Sequence, residues 1–76
     1  MTNTTWRDEW PTFRVNLIDE TARCLANQQA AMTHGQQPNW ASLTSEQQAK
    51  LTEYIMRIFL AQEQAMDNLV KRGAVP

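Results

Sequence analysis

The sequence predicts an all-α protein in which two long helices form an antiparallel hairpin behind a short N-terminal helical segment. Two stretches carry apolar residues at alternating spacings of three and four, the period of one helix that packs along another. The second stretch, from Thr44 to Gly73, also has its own start and stop signals. With 76 residues, the chain is near the lower limit for a single hydrophobic core. We therefore expect residues 1–76 to form one helical domain that gains stability by self-association.

The N-terminal segment is expected to be a short helical turn that ends at a bend. Residues 1–5 are polar, and we expect them to fray. Thr5 is placed to cap a turn that begins at Trp6. Trp10 precedes a proline, which disfavours helical geometry at Trp10, whereas Pro11 suits the first position of a new helix.

The first long helix is predicted from Pro11 to about Thr33, and Gly35 is expected to end it. Its predicted contact seam is Val15, Ile18, Ala22, Leu25, Gln29 and Met32. A further apolar flank is Phe13, Leu17, Cys24 and Ala31. The single cysteine, Cys24, is expected to be a small core residue because no basic residue is placed to activate it. Asp19 and Arg23 are expected to pair on the outer side.

The second long helix is marked at both ends. Thr44 and Gln47 have the spacing of a capping box, and Gly73 and Pro76 mark the C-terminal stop. Its predicted seam is Leu51, Ile55, Ile58, Gln62, Ala65 and Leu69. The pairs expected on its solvated side are Glu46/Lys50, Glu53/Arg57 and Asp67/Lys71. In an antiparallel hairpin Gln29 and Gln62 would enter the seam, where hydrogen-bonded amides could fix the register.

The connection between the two helices is long for a helical hairpin. We expect Trp40 and Leu43 to fold back and cover the end of the hairpin. His34, the only histidine, has no carboxylate or cysteine nearby in sequence, and we expect it to be solvated near the end of the first helix.

The second helix has more apolar surface than one neighbouring helix could bury. Beside the predicted seam lies an apolar shoulder made of Met56, Phe59, Leu60, Met66 and Val70. Two interpretations remain open: the core of a homodimer in which two hairpins form a dimeric helical bundle, or a surface for another protein. Trp6 and Trp10 could either cover the core or anchor such a partner.

Composition and motifs exclude several classes of function. The net charge is −1 and the basic residues are scattered, which disfavours binding to nucleic acid. A DNA-binding helix-turn-helix is also disfavoured, because the connection is too long and the second helix too acidic. No run of about 18 apolar residues could span a membrane and no signal-peptide pattern begins the chain, so we expect a cytoplasmic protein. We find no phosphate loop, metal-ligand spacing or activated nucleophile. We therefore predict no catalytic residue, no metal and no cofactor.

A weakly specific sequence pattern extends over residues 20–60. It consists of Glu20 and Arg23 three residues apart, the run Gln37-Pro38-Asn39-Trp40-Ala41-Ser42-Leu43, Gln47, and the apolar run that ends at Phe59-Leu60. This pattern resembles the small ryanodine-receptor-type repeat module of some bacterial and phage proteins. It departs from that module at Asp19, where a histidine is usual, and in a longer spacing between Arg23 and Pro38. The resemblance implies a small helical module that binds a nucleotide-like ligand through Arg23 and Trp40.

Two hypotheses about function follow. The first is a non-enzymatic protein-interaction module, similar in type to the inhibitors and adaptors that phages make to bind and occlude host proteins. Such a protein would act in the host cytoplasm if a phage encodes it. The alternative is a helical module that binds a small molecule or a nucleotide.

Overall fold

The computed structural model describes residues 6–73, which form three α-helices and a short 3-10 helix, with no β-strand within that range. The helices are α1 (Trp6–Glu9), α2 (Thr12–Met32) and α3 (Ser45–Lys71), and the 3-10 helix (Trp40–Ser42) lies between α2 and α3. The predicted all-α fold class and its two long helices are confirmed. The predicted cap at Thr5 and stop at Pro76 lie outside the described residues.

Helix α2 begins one residue later than the sequence predicted. Trp10 forms the bend after α1, and its N–H donates to the carbonyl oxygen of Trp6 at 3.1 Å. Pro11 takes the N-cap position with an extended ψ of 144°, and its carbonyl accepts from the N–H of Val15 at 3.1 Å. Pro11 thus contributes only its carbonyl oxygen to the helical hydrogen bonds, and the helix itself starts at Thr12.

The end of α2 forms a Schellman motif whose left-handed residue is His34. Its φ is 54°, and its N–H donates to the carbonyl of Ala31 at 3.3 Å. Gly35 follows with φ 86°, and its N–H donates to the carbonyl of Ala30 at 2.8 Å. These are the two hydrogen bonds of the motif. The predicted terminator was therefore one residue too late, since a histidine takes the position that glycine usually holds.

Helix α3 has the caps that the sequence predicted. The Gln47 N–H donates to Thr44 Oγ1 at 3.1 Å, and the Thr44 N–H donates to Gln47 Oε1 at 2.9 Å. At the other end Gly73 has φ 69°, and its N–H donates to the carbonyl of Val70 at 3.0 Å. These bonds satisfy backbone groups that a bare helix end leaves unpaired.

The hydrophobic core is small and lies where α2 meets the N-terminal half of α3. Ile18, Ala22 and Ile55 form the buried cluster. The partly buried residues around it are Trp6, Trp10, Leu25, Trp40, Leu51, Met56 and Phe59. Gln29 and Gln62 are exposed, so the predicted polar seam positions are wrong.

The buried side of α3 is rotated away from the predicted seam. At about 100° per residue, Met56 and Phe59 lie on one side of Ile55, whereas Ile58 and Ala65 lie on the other. Met56 and Phe59 pack against the core, but Ile58 is 43% exposed and Ala65 is exposed. Part of the predicted shoulder therefore faces inward, and much of the predicted seam faces outward.

The C-terminal half of α3 extends beyond the other helices of the described residues. Arg14, in the first turn of α2, pairs with Glu63 at 2.8 Å, and every residue from Leu60 to Gly73 is exposed. The Cα radius of gyration is 15.0 Å, whereas a compact domain of this length has about 11 Å. The part of the chain that the structure describes is therefore elongated, and the end of α3 has no cover within it.

Replacing His34 with glycine is expected to stabilise the fold. A left-handed conformation costs a residue with a Cβ about 1–2 kcal/mol. Glycine avoids this cost, but it also gives the unfolded chain more conformational entropy, which offsets part of the gain. We expect His34→Gly to raise the free energy of unfolding by about 1 kcal/mol and the melting temperature by about 4–8 °C. Thermal and urea unfolding followed by circular dichroism measure both quantities.

Gly35→Ala is the matched control for this substitution. A Cβ at Gly35 would meet open space, so only the strain of its positive φ acts. This variant should therefore be less stable than the wild type. A His34→Gly protein no more stable than the wild type would contradict the assignment of strain to His34.

Candidate functional site

The arm formed by α1 is fastened to one side of α2 by an ion pair. Arg7 donates from Nη1 to Asp19 Oδ2 at 3.1 Å and from Nη2 to Asp19 Oδ1 at 2.9 Å. The hydrogen bonds to Asp19 raise the pKa of Arg7, partial burial opposes them, and the Coulomb attraction of Asp19 adds to the rise. The predicted pair of Asp19 with Arg23 is wrong, because Arg23 instead lies 3.8 Å from Glu20. Asp19 lies about 100° around the axis of α2 from Ile18, so the arm covers the side of α2 next to the buried Ile18.

The two tryptophans of the arm belong to the core of this chain. The rings of Trp6 and Trp10 form an edge-to-face pair with centroids 5.8 Å apart, and both pack against the buried cluster. The guanidinium of Arg7 lies 4.7 Å from the Trp6 ring, and that of Arg14 lies 3.9 Å from the Trp10 ring. Such cation–π contacts help to hold the two rings in place. Trp6 and Trp10 therefore shield the core within one chain.

The opposite side of the α2–α3 pair is open and apolar. A groove of about 300 Å³ runs there. Its lining residues are Thr21, Cys24, Leu25, Gln28, Ile55, Ile58 and Phe59. None of these side chains carries a formal charge. Cys24 is exposed at the groove, so its prediction as a core residue is wrong.

Helical spacing extends this groove into a wider surface, which we call the open face. Leu17 lies one turn before Thr21, and Tyr54, Ala61 and Ala65 follow the same side of α3 as Ile58. The open face therefore consists of Leu17, Thr21, Cys24, Tyr54, Ile58, Ala61 and Ala65. Leu17 and Tyr54 are 44% and 54% exposed. The sequence interpretation assigned Tyr54 no role, although its spacing of four from Ile58 was a usable signal.

A second apolar surface lies at the exposed end of α3. Met66, Leu69 and Val70, which we call the C-terminal stripe, are 59%, 40% and 59% exposed. They continue the side of α3 that carries Ile55 and Phe59, past the point that α2 covers. A concavity of about 310 Å³ lies beside the stripe. Its lining residues are Arg14, Phe59, Gln62, Glu63, Met66 and Asp67.

The predicted shoulder does not form one exposed surface. Met56 and Phe59 are half-buried against the core, whereas Met66 and Val70 are exposed in the C-terminal stripe. Leu60 is also exposed but lies about 140° from Ile55, apart from that stripe. The predicted interface residues are therefore divided between the core and two separate exposed sides of α3.

The charged pairs of α3 agree only in part with the prediction. Lys50 lies 3.3 Å from Glu46 and Arg57 lies 2.9 Å from Glu53, as predicted. The predicted Asp67–Lys71 pair is wrong, because no ion pair within 4.0 Å joins these two residues of the described chain.

Trp40 fastens the connection to both long helices. Its N–H donates to Asn27 Oδ1 at 2.9 Å, and its carbonyl accepts from Gln48 Nε2 at 2.9 Å. Trp40 packs against the buried cluster and Leu43 is half-buried. Arg23, the other predicted ligand residue, is exposed beside Glu20.

Within residues 6–73, no group of three or more His, Cys, Asp and Glu side chains is arranged to hold a metal ion. None of the described helices has the length and apolar character needed to cross a membrane. Comparisons with protein families, with curated proteins and with solved structures found no match to this chain. The resemblance of residues 20–60 to the ryanodine-receptor-type module stays a prediction from the sequence.

A double-mutant cycle tests whether the arm is held by its ion pair. We expect Arg7→Gln, Asp19→Asn and their combination to give a coupling energy of about 0.5–1 kcal/mol, because the bidentate pair is only partly exposed. Each variant should also shift tryptophan emission to longer wavelength, since the arm covers the core less tightly. Urea unfolding and fluorescence spectra provide the two measurements.

The control cycle uses Arg23→Gln and Glu20→Gln. These side chains are exposed and lie 3.8 Å apart, so their coupling should be close to zero. Equal coupling in the two cycles, with unchanged tryptophan emission, would show that Arg7 and Asp19 do not anchor α1.

Proposed function

We propose that this protein is a non-enzymatic interaction module that binds another protein and occludes a site on it. The observation that carries the proposal is the C-terminal stripe, which is apolar, exposed and borne on an end of α3 that no other part of residues 6–73 covers. Residues at spacings of three and four on one side of a helix are the anchors used when a helix binds in a groove. The partner surface would therefore be an apolar groove that accepts Met66, Leu69 and Val70.

The helix that carries the stripe is formed before binding. The Thr44–Gln47 capping box and the left-handed Gly73 close its two ends. A segment that is already helical loses less conformational entropy on binding than a segment that must fold, so more of the contact energy appears as affinity. This property supports a binding role for the exposed end of α3.

The charges at the end of α3 indicate the chemistry of the partner. Lys71 and Arg72 follow Val70, and neither forms an ion pair within 4.0 Å with a carboxylate among residues 6–73. A groove with acidic residues at one end would complement them, increasing the rate of association and fixing the orientation of the helix. We therefore propose an apolar groove with an acidic end as the target.

The alternative function, binding of a small molecule or nucleotide through Arg23 and Trp40, stays a prediction from the sequence. The ring of Trp40 packs against the core and both of its backbone polar groups are hydrogen-bonded within the chain. No observation of the site favours this alternative over protein binding. The cytoplasm, or the host cytoplasm for a phage-encoded chain, remains the proposed location.

Substitution within the C-terminal stripe is expected to abolish partner binding. Val70→Glu places a carboxylate where the partner would exclude water, so we expect at least a tenfold loss of affinity, or about 1.4 kcal/mol. Immobilised wild-type and variant proteins are used to capture partners from lysate, and any enriched protein is purified for titration calorimetry.

Gln64→Glu is the matched control, because it adds the same charge at another exposed position of α3. It should capture the same protein as the wild type, and circular dichroism should show equal helicity for all three. Leu60→Glu tests the other exposed side, and should also bind normally. Equal capture by Val70→Glu, or no enrichment by the wild type, would argue against the proposal.

A further inference from the structure

We propose that the open face binds a second copy of this chain, which forms a four-helix bundle in which α2 of each protomer packs beside α3 of the other. The sequence predicted a homodimer through the shoulder, but the open face lies on the opposite side of Ile55 from Met56. It also differs from the C-terminal stripe. Dimerisation and partner binding therefore use separate residues.

The accessible surface of the chain favours an additional buried interface. It is 5918 Å² for a chain of 8.8 kDa, whereas a compact monomer of that mass exposes about 4,800 Å². The excess is about 1,100 Å². A standard stable interface buries about 800 Å² on each partner. This surplus is shared between the open face and the exposed end of α3, and it is of the same order as the area that one subunit buries in a standard dimer.

The chemistry of the open face fits a helical partner. The face lacks formal charge, and Ala61 and Ala65 on α3 allow the backbone of another helix to approach closely. Ile58 lines the groove and Leu17 lies beside it, and both side chains could interdigitate with those of a second copy. Two helical pairs that stack through such faces make a four-helix bundle with one shared core.

Charge complementarity selects the orientation of the second copy. Around α2, Glu20 lies about 40–60° beyond Leu17 and Cys24, and around α3, Arg57 lies about 40–60° beyond Ala61 and Tyr54. At this edge α2 therefore carries the acidic Glu20 and α3 carries the basic Arg57, whose ion pairs within the chain are with Arg23 and Glu53. A two-fold axis parallel to the helices places α2 against α3 of the partner subunit, which brings acid to base. An axis across the helices would instead place like charges together.

The register within one chain predicts which charges meet. Arg14 pairs with Glu63, so these residues lie at the same height along the helices. Glu20 is six residues after Arg14 and Arg57 is six residues before Glu63, so they also share one height. A two-fold axis parallel to the helices preserves height. Glu20 should therefore face Arg57 of the partner subunit, and this contact occurs twice in the dimer.

A charge exchange between subunits tests this arrangement. Sedimentation velocity over 1–100 μM should show a dimer for the wild type. Glu20→Arg and Arg57→Glu should each weaken dimerisation at least tenfold, because each creates two like-charge contacts. An equimolar mixture of the two variants should regain the wild-type dissociation constant to within about threefold, because every contact in the mixed dimer again joins opposite charges.

Ala65→Glu provides a second test that does not depend on the helix pair Glu53–Arg57. It should give a helical monomer, whereas the neighbouring Gln64→Glu should remain dimeric. A wild type that is monomeric at 100 μM, a dimeric Ala65→Glu, or a mixture that fails to recover would each overturn the proposal. Val70→Glu should still dimerise, so loss of partner binding and loss of the dimer are distinguishable.

Discussion

Helix α3 is longer than the helix that packs against it, and the rest of the structure depends on this difference in length. Its 27 residues extend about 40 Å, whereas the 21 residues of α2 extend about 31 Å. The bend at Trp10 separates the short α1 from α2, and Trp6 and Trp10 pack against the core that contains Ile55. The part of α3 beyond Glu63 therefore has no cover within the described chain, and apolar residues such as Met66 and Val70 remain exposed.

The local features of this fold could be predicted from the sequence, because each depends on neighbouring residues. The capping box at Thr44 and Gln47 and the left-handed Gly73 are examples, since both use spacing of a few residues. The exception is His34, which takes the left-handed position although Gly35 stands beside it. The residue types favour glycine at the left-handed position that ends the helix, whereas in the structure His34 takes that position and Gly35 follows it, also with a positive φ.

The rotation of α3 could not be predicted, because its apolar residues occupy more than half of the helix circumference. One stripe runs through Ile58 and another through Phe59, and both have helical spacing. Met56 and Phe59 pack against the core together with Trp6 and Trp10, and the ion pair of Arg7 with Asp19, which joins residues 12 positions apart, holds the N-terminal segment against α2. Spacing within a helix carries no information about that contact. The residues of the candidate surface were therefore found, but their division between buried and exposed sides was not.

Together, the two proposed surfaces would give a protein with two parallel binding ends. A two-fold axis parallel to the helices keeps α3 and its copy pointing in the same direction, so both C-terminal stripes lie at one end of the bundle. Within the stripe, Leu69 lies nearest to the open face, so dimerisation would hold the stripe in a fixed orientation. Two stripes on one rigid body bind a target with two grooves far more tightly than a single stripe, because the second contact is intramolecular. A small helical chain could thereby occlude a larger partner.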